Sequence, residues 1–240
     1  MQGLVSDNAT SLTMGLGPLA EICHAFPNST FPTAAIHEFF TENSEIATAT
    51  SGFVAGVLTS LMSKSGQRGP RGAAMWIGTS RKLFPPALKN FGIEPDRFIF
   101  VDLKNEKDVL WAMDEALKCD ALSAVVAEMP DLSFTESRRL QLAVEKSRTT
   151  GFVLRTNHKK ISTTACVTRW KISPIKSELA DDLPGVGFPQ WKVDLLRVRN
   201  GKPGCWNMGW KNGKFELIES PDVISNEEQK RTEPTLGIAG

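Results

Sequence analysis

The sequence predicts an α/β fold: a mainly parallel sheet flanked by helices and extended by antiparallel strands at its C-terminal end. Three observations carry this. Short apolar runs and helix-period segments alternate about five times before Arg155, the spacing that parallel neighbours with right-handed crossovers require. Ala34–Met62 reads as a buried strand, a polar turn and an amphipathic helix, and the rest of the chain is organised around it. Beyond Arg155 the pattern changes to strands joined by Asn200-Gly201 and Asn212-Gly213, pairs that favour tight hairpin turns.

Residues 1–30 are expected to be a loose segment with a short helix over roughly Pro18–Phe26. Ordered structure is expected over 31–218 as one domain. In the helix after the first strand, Val54, Val57, Leu58, Leu61 and Met62 share one face. Ala73–Gly78 is a strand buried on both sides, followed by a helix near Pro86–Phe91 that Gly92 stops. Arg97–Val101 is the next strand, and Asn105 is placed to cap a helix whose core face is Val109, Ala112, Met113, Ala116 and Leu117. Ala124–Ala127 is another buried strand. Ser133 and Glu136 form a capping box for a helix to Ser147, buried through Leu140, Ala143, Val144 and Ser147. Phe152–Leu154 and Cys166–Ile172 are strands, 173–189 a Pro- and Gly-rich loop, and Trp191–Ile218 a meander. Residues 219–240 are polar, without periodicity, and read as a disordered tail.

At 240 residues, 41% of them apolar and 23% charged, the chain has the composition of a globular domain. Its net charge of +1 carries no global polyanion signal. The charge is uneven, however: Arg155–Lys214 holds twelve Lys/Arg against Glu178, Asp181, Asp182 and Asp194. Cys23, Cys119, Cys166 and Cys205 lack any CxxC spacing and are expected to be reduced, buried thiols. The N-terminus shows no secretory pattern and no run of about 18 apolar residues occurs, so a cytoplasmic protein without membrane association is expected.

A strand entering a helix through a small-residue turn is the topology of a phosphate-binding site. Here the turn Glu42–Ser51 carries no lysine, and Met1–Ser63 contains no Lys or Arg at all against Asp7, Glu21, Glu38, Glu42 and Glu45. Glu128 ends an apolar run where a nucleotide hydrolase places a carboxylate for magnesium. HEFFT at 37–41 lacks the second histidine of a zinc protease, and on a strand His37 and Glu38 face opposite ways, so no metal site is expected. Arg155, His158, Lys159 and Lys160, with Arg169 and Lys171 on the next strand, form a candidate DNA contact. Trp191, Trp206 and Trp210 form a candidate protein interface, set against the simpler reading that each is core. Phe31-Pro32-Thr33-Ala34 fits a short F-x-x-A docking pattern.

Several segments resemble one family. RRLQLAVEKSRTTGFVLR (138–155), TRWKIS (168–173) and WKVDLLRVRNGKPGCWNMGW (191–210) are similar to the ImuA proteins, as are AIHEFF (35–40) and DVLWAMDEALKCDALSAVVAE (108–128). The likeness covers Phe31–Ile218. It implies a RecA-like, P-loop NTPase-type core working beside ImuB, an inactive Y-family polymerase, and an error-prone replicative polymerase in damage-induced mutagenesis. The phosphate-loop glycines and lysine of that fold are missing between Glu42 and Ser51, and WIGTSRK (76–82) lacks the catalytic carboxylate. The degenerate loop implies no ATP or Mg cofactor and no catalysis. The expectation is a non-enzymatic adaptor of translesion synthesis docking ImuB, RecA or both. The alternatives are a DNA-binding module using the basic C-terminal half, with single-stranded DNA as ligand, and a degenerate nucleotide-binding protein without turnover.

Overall fold

The computed structural model describes residues 19–63, 72–80, 83–156, 162–178 and 187–218. The strands are β1 (Ile36–Phe40), β2 (Ala73–Gly78), β3 (Phe98–Asp102), β4 (Leu122–Met129), β5 (Thr150–Arg155), β6 (Thr168–Glu178), β7 (Phe188–Val198), β8 (Gly204–Lys211) and β9 (Lys214–Leu217). They form one nine-stranded sheet in the order β3-β2-β4-β5-β1-β6-β7-β8-β9. From β3 to β6 all neighbours are parallel, and β6 to β9 are antiparallel. The helices are α1 (Leu19–Cys23), α2 (Ser44–Ser63), α3 (Glu106–Ala116) and α4 (Phe134–Ser147). Pro85–Phe91 is a 3-10 helix ended by Gly92 in the left-handed region at φ 75°.

Strand alternation divides the interior into two apolar layers. On one face, Phe53, Val54, Val57, Leu58 and Met62 of α2 pack on Phe39, Phe152, Trp170, Trp191 and Phe215. On the other, Val109 and Met113 of α3 and Leu140 and Val144 of α4 pack on Ile36, Val125, Ala127 and Val153. Gly56 permits the close approach of α2, since a Cβ there would lie 2.6 Å from the Phe215 ring. By length and composition Ser44–Met62 is apolar enough to cross a membrane, but it lies in this fold as a core helix with its large side chains against the sheet. The first layer also takes in Leu19, Ile22, Cys23 and Phe26, so packing begins ahead of the expected boundary at residue 31. Residues 1–18 and the tail at 219–240 lie outside the described residues.

Several expectations are corrected. The segment Glu42–Ser51 is mostly helix: β1 ends at Phe40 and α2 starts at Ser44, leaving a turn of Thr41, Glu42 and Asn43. Asn43 Oδ1 accepts the Ile46 N–H at 2.8 Å, which caps the helix early. The hydroxyls of Thr48, Thr50 and Ser51 donate to carbonyls one turn back, so a Ser/Thr-rich run persists as helix. Asn105 occupies the cap position of α3, but its side-chain amide donates to Asp108 instead of accepting from the backbone. The loop expected over 173–189 is shorter, because β6 and β7 pair along a hairpin from Thr168↔Val198 to Glu178↔Phe188. Cys23 and Cys166 are buried, and burial pushes the Cys166 thiol up to about 12, but Cys119 and Cys205 are exposed. Phe31 is buried against Phe26 and His37, which removes it from the proposed docking pattern.

The capping box of α4 is present in both directions, Ser133 with Glu136. Asn212 at φ 53° and Gly213 at φ 75° make the β8–β9 turn. At the other Asn-Gly turn, a Cβ on Gly201 would sit 2.2 Å from the Ala25 carbonyl oxygen, and that oxygen accepts the Lys202 N–H at 2.8 Å. This turn therefore ties the antiparallel strands to the segment after α1.

His37 is fully buried between the rings of Phe31 and Phe152. Its Nε2–H donates to the Pro32 carbonyl at 2.8 Å and its Nδ1 accepts from the Thr168 hydroxyl at 2.7 Å, so the imidazole is neutral in the fold. Burial lowers its pKa from 6.5 to about 4. Between those values the unfolded chain binds a proton that the folded chain refuses, so this contribution to stability is complete above pH 6.5 and is lost as pH falls toward 4. The loss should approach about 3 kcal/mol. Urea denaturation at about pH 7 and about pH 4.5 should show a larger drop for the native protein than for His37→Gln; equal drops would refute it.

Candidate functional site

In open α/β sheets ligands gather beyond the carboxyl ends of the strands. Here that edge holds a cavity of about 800 Å³. Thr41 after β1, Glu128 of β4, and Leu154 and Thr156 at the end of β5 form its base, and the first two turns of α2 form one wall. Leu83, Phe84 and Phe91 close a second side, and Ile175 and Trp191 of the β6–β7 hairpin a third. Most of this lining is apolar. Its carboxylates are Glu45 and Glu128, and among the described residues lining it there is no Lys or Arg. Arg81 and Lys82, which precede Leu83, lie outside the described residues.

The residues present do not fit a triphosphate. A phosphate loop offers several free backbone N–H groups and a lysine. Here the turn has three residues, the Ile46 N–H is taken by Asn43, and the Thr41 N–H and hydroxyl both donate to the Arg155 carbonyl at 2.9 and 2.8 Å. Glu128 stands at the expected edge, half-buried, with Oε1 accepting the Trp76 indole N–H at 2.8 Å. Among the described residues no cluster of three His, Cys, Asp or Glu is placed to hold a metal ion.

The expected DNA contacts among the described residues are engaged in ion pairs. Arg155 is fully buried, its guanidinium donating to Glu38 Oε1 at 2.7 Å and pairing with Asp131. Arg169 donates through Nε to Glu38 Oε2 at 2.9 Å and through Nη2 to the Ser162 carbonyl at 2.7 Å. Both guanidiniums also lie over the Phe40 ring, at 5.1 and 5.2 Å. This corrects the expectation for these two residues: each spends its charge on Glu38, which is itself fully buried and also accepts from Thr164. Lys171 is half-exposed and paired with Glu42 at 2.7 Å. His158, Lys159 and Lys160 lie outside the described residues.

The tryptophan interface is corrected too. Trp191 and Trp210 are core residues, 2% and 4% exposed, and Trp206 packs half-buried against the same layer. The exposed aromatic side chains are instead Phe84, Trp111 and Phe134. Trp111 falls off the apolar face of α3 in the helical period, which was a readable signal; Phe84 sits between irregular segments, where no period applies.

No family model matches the chain. Protein ImuA of Caulobacter vibrioides, in two strains, is 33% identical over 195 residues, covering 75% of this chain and 77% of the relative. The chain belongs to the ImuA family. A partial likeness joins this chain to the cell division inhibitor SulA of Photorhabdus laumondii subsp. laumondii, 28% identical over 103 residues, which is 43% of this chain and 58% of the relative. Among solved structures, the RadB recombinase superposes with a TM-score of 0.55 at 14% identity, over 87% of this chain and 100% of the other. This chain therefore has a RecA-like fold, its parallel core sheet extended by C-terminal antiparallel strands.

Removing the Glu38 carboxylate leaves two guanidiniums without their buried partner. Glu38→Ala should cost about 3–5 kcal/mol in urea denaturation. Arg169→Ala should likewise lower the melting temperature; a variant that melts normally but loses DNA affinity would restore Arg169 to a DNA-contact role.

Proposed function

We propose that this ImuA-family protein is a non-catalytic RecA-like adaptor in the DNA damage response, supporting error-prone translesion synthesis by docking an ImuB-type polymerase, RecA or both. Family membership, together with the partial likeness to a cell division inhibitor, supports the damage-response part. The observation that carries the non-catalytic part is the three-residue turn between β1 and α2, where the Thr41 N–H and hydroxyl are bonded to the Arg155 carbonyl and Asn43 takes the Ile46 N–H. A phosphate would find no lysine among the described lining residues and would face Glu45 and Glu128. The RecA-like sheet thus serves as a scaffold for contacts, in keeping with the rule that function resides in sites and not in folds. Arg155 and Arg169 hold Glu38, which weakens the competing reading of a basic DNA-binding face.

Two titrations test this. Calorimetry with ATP and Mg²⁺ should show no binding tighter than about 1 mM. Labelled protein should bind purified ImuB or RecA filament saturably and retain most of that affinity when salt rises from about 50 to about 200 mM, a change that would weaken a multi-phosphate contact by about 10³-fold or more. Micromolar ATP affinity, or binding to bare DNA with a steep salt slope and to neither protein, would overturn the proposal.

A further inference from the structure

We infer that the outer face of α3 and α4 is a two-fold interface between copies of this chain, an assembly that does not depend on the adaptor reading. Val109 and Met113 of α3 and Leu140 and Val144 of α4 pack toward the sheet. On the side turned away from it, Trp111 is 65% exposed, Leu142 49% and Phe134 55%, large apolar side chains left in water on two neighbouring helices. Arg139 Nε lies 3.3 Å from Asp114 Oδ1 and bridges the helices, with Trp111 one turn before Asp114 and Leu142 one turn after Arg139. Both helices belong to the continuous described stretch 83–156, so every charged side chain they carry is placed.

The charge pattern fits a second copy. Helix α3 holds Glu106, Asp108, Asp114 and Glu115 against Lys107, and Lys118, just past its end, pairs with Asp114 and Glu115 at 3.1 and 2.7 Å. Helix α4 holds Arg138, Arg139 and Lys146, with Arg148 at its C-cap, against Glu145 and a Glu136 that is tied into the capping box. The two apolar knobs share this polarity. Asp108 and Glu115 stand one turn either side of Trp111, and Arg138 and Lys146 one turn either side of Leu142. A uniformly charged partner, nucleic acid included, is repelled by one helix wherever the other attracts it. The same face turned on itself meets no such conflict. Helix α3 leads from β3 to β4 and α4 from β4 to β5, all parallel strands, so the two helices lie side by side and run the same way. A two-fold axis along them lays α3 of each copy on α4 of the other, with Trp111 over Leu142 and carboxylates facing cations twice.

Sedimentation velocity of the full chain from about 1 to about 100 µM should show a reversible monomer–dimer equilibrium. Arg138→Glu with Lys146→Glu makes α4 acidic like α3, and Asp108→Lys with Glu115→Lys makes α3 basic like α4; each double variant should be monomeric over that range. An equimolar mixture of the two should regain the dimer, because the acidic α4 of one then meets the basic α3 of the other, while the remaining pair of helices is native. Trp111→Ala, at a position exposed in the single chain, should weaken the dimer about tenfold and leave the melting temperature of dilute protein unchanged. That variant carries the test if a charge reversal fails to fold. A native chain that stays monomeric at about 100 µM, a dimer that survives either reversal, a mixture that stays monomeric, or a Trp111→Ala dimer as tight as the native one would overturn the inference.

Discussion

The fold depends on one buried carboxylate. Glu38 sits in the middle of β1, the strand that joins the crossover-connected half of the sheet to the hairpin half. It lies directly opposite Arg169 on β6 and receives Arg155 from the end of β5, so a single side chain ties three adjacent strands. A charge buried this deeply is costly alone, and its attraction to two guanidiniums offsets that cost only when their geometry is kept. The consequence is register. Slipping β1 by one residue would carry Glu38 into the layer of Phe39 and Phe152 and bring His37 among the arginines. His37 enforces the same register from the opposite face through Thr168 and Pro32.

This arrangement shapes the ligand edge. Arg155 belongs to the α3–α4 face and its carbonyl accepts both the N–H and the hydroxyl of Thr41, which fixes the first residue of the turn into α2. With Thr41 anchored and Asn43 capping the helix, the turn is held short and does not wrap as a phosphate loop does. Two of the cations that in the sequence looked free for a polyanion, Arg155 and Arg169, are engaged inside the molecule by Glu38. Among the described residues that line it, the edge has largely apolar walls and two carboxylates, Glu45 and Glu128.

The order of strands and helices was legible because the signals are local. The 3.6-residue period of α2 and α3, the Ser133–Glu136 box and the Asn212-Gly213 turn each depend on neighbours a few residues apart. What misled was polarity without partners. ENSEIATATS reads as a loop until its hydroxyls are seen bonded to carbonyls within the helix, and Arg155 and Arg169 read as surface cations until Glu38 is placed 117 and 131 residues away in sequence. A signal was nevertheless present. Glu38 in IHEFF and Arg155 in TGFVLR are opposite charges set in strands buried along their whole length, and two such residues are affordable only as partners. The tryptophans misled in the other direction. Their interface propensity is real on average, but Trp191 and Trp210 lie on strands whose inward positions they fill.

The cavity was not legible because it is made by five segments distant in sequence, none of which carries a motif. Its existence still follows from the fold. An open parallel sheet whose strand order reverses leaves a crevice at the carboxyl edge whatever side chains line it. In a nucleotide-binding protein that crevice is filled by phosphates held on backbone N–H groups. Here the turn between β1 and α2 has three residues and the described lining holds no Lys or Arg, so the crevice is kept without the donor set of a phosphate loop. What is left among the described residues is a largely apolar hollow beside solvent, with Trp191 in one wall and Phe84 exposed at its rim.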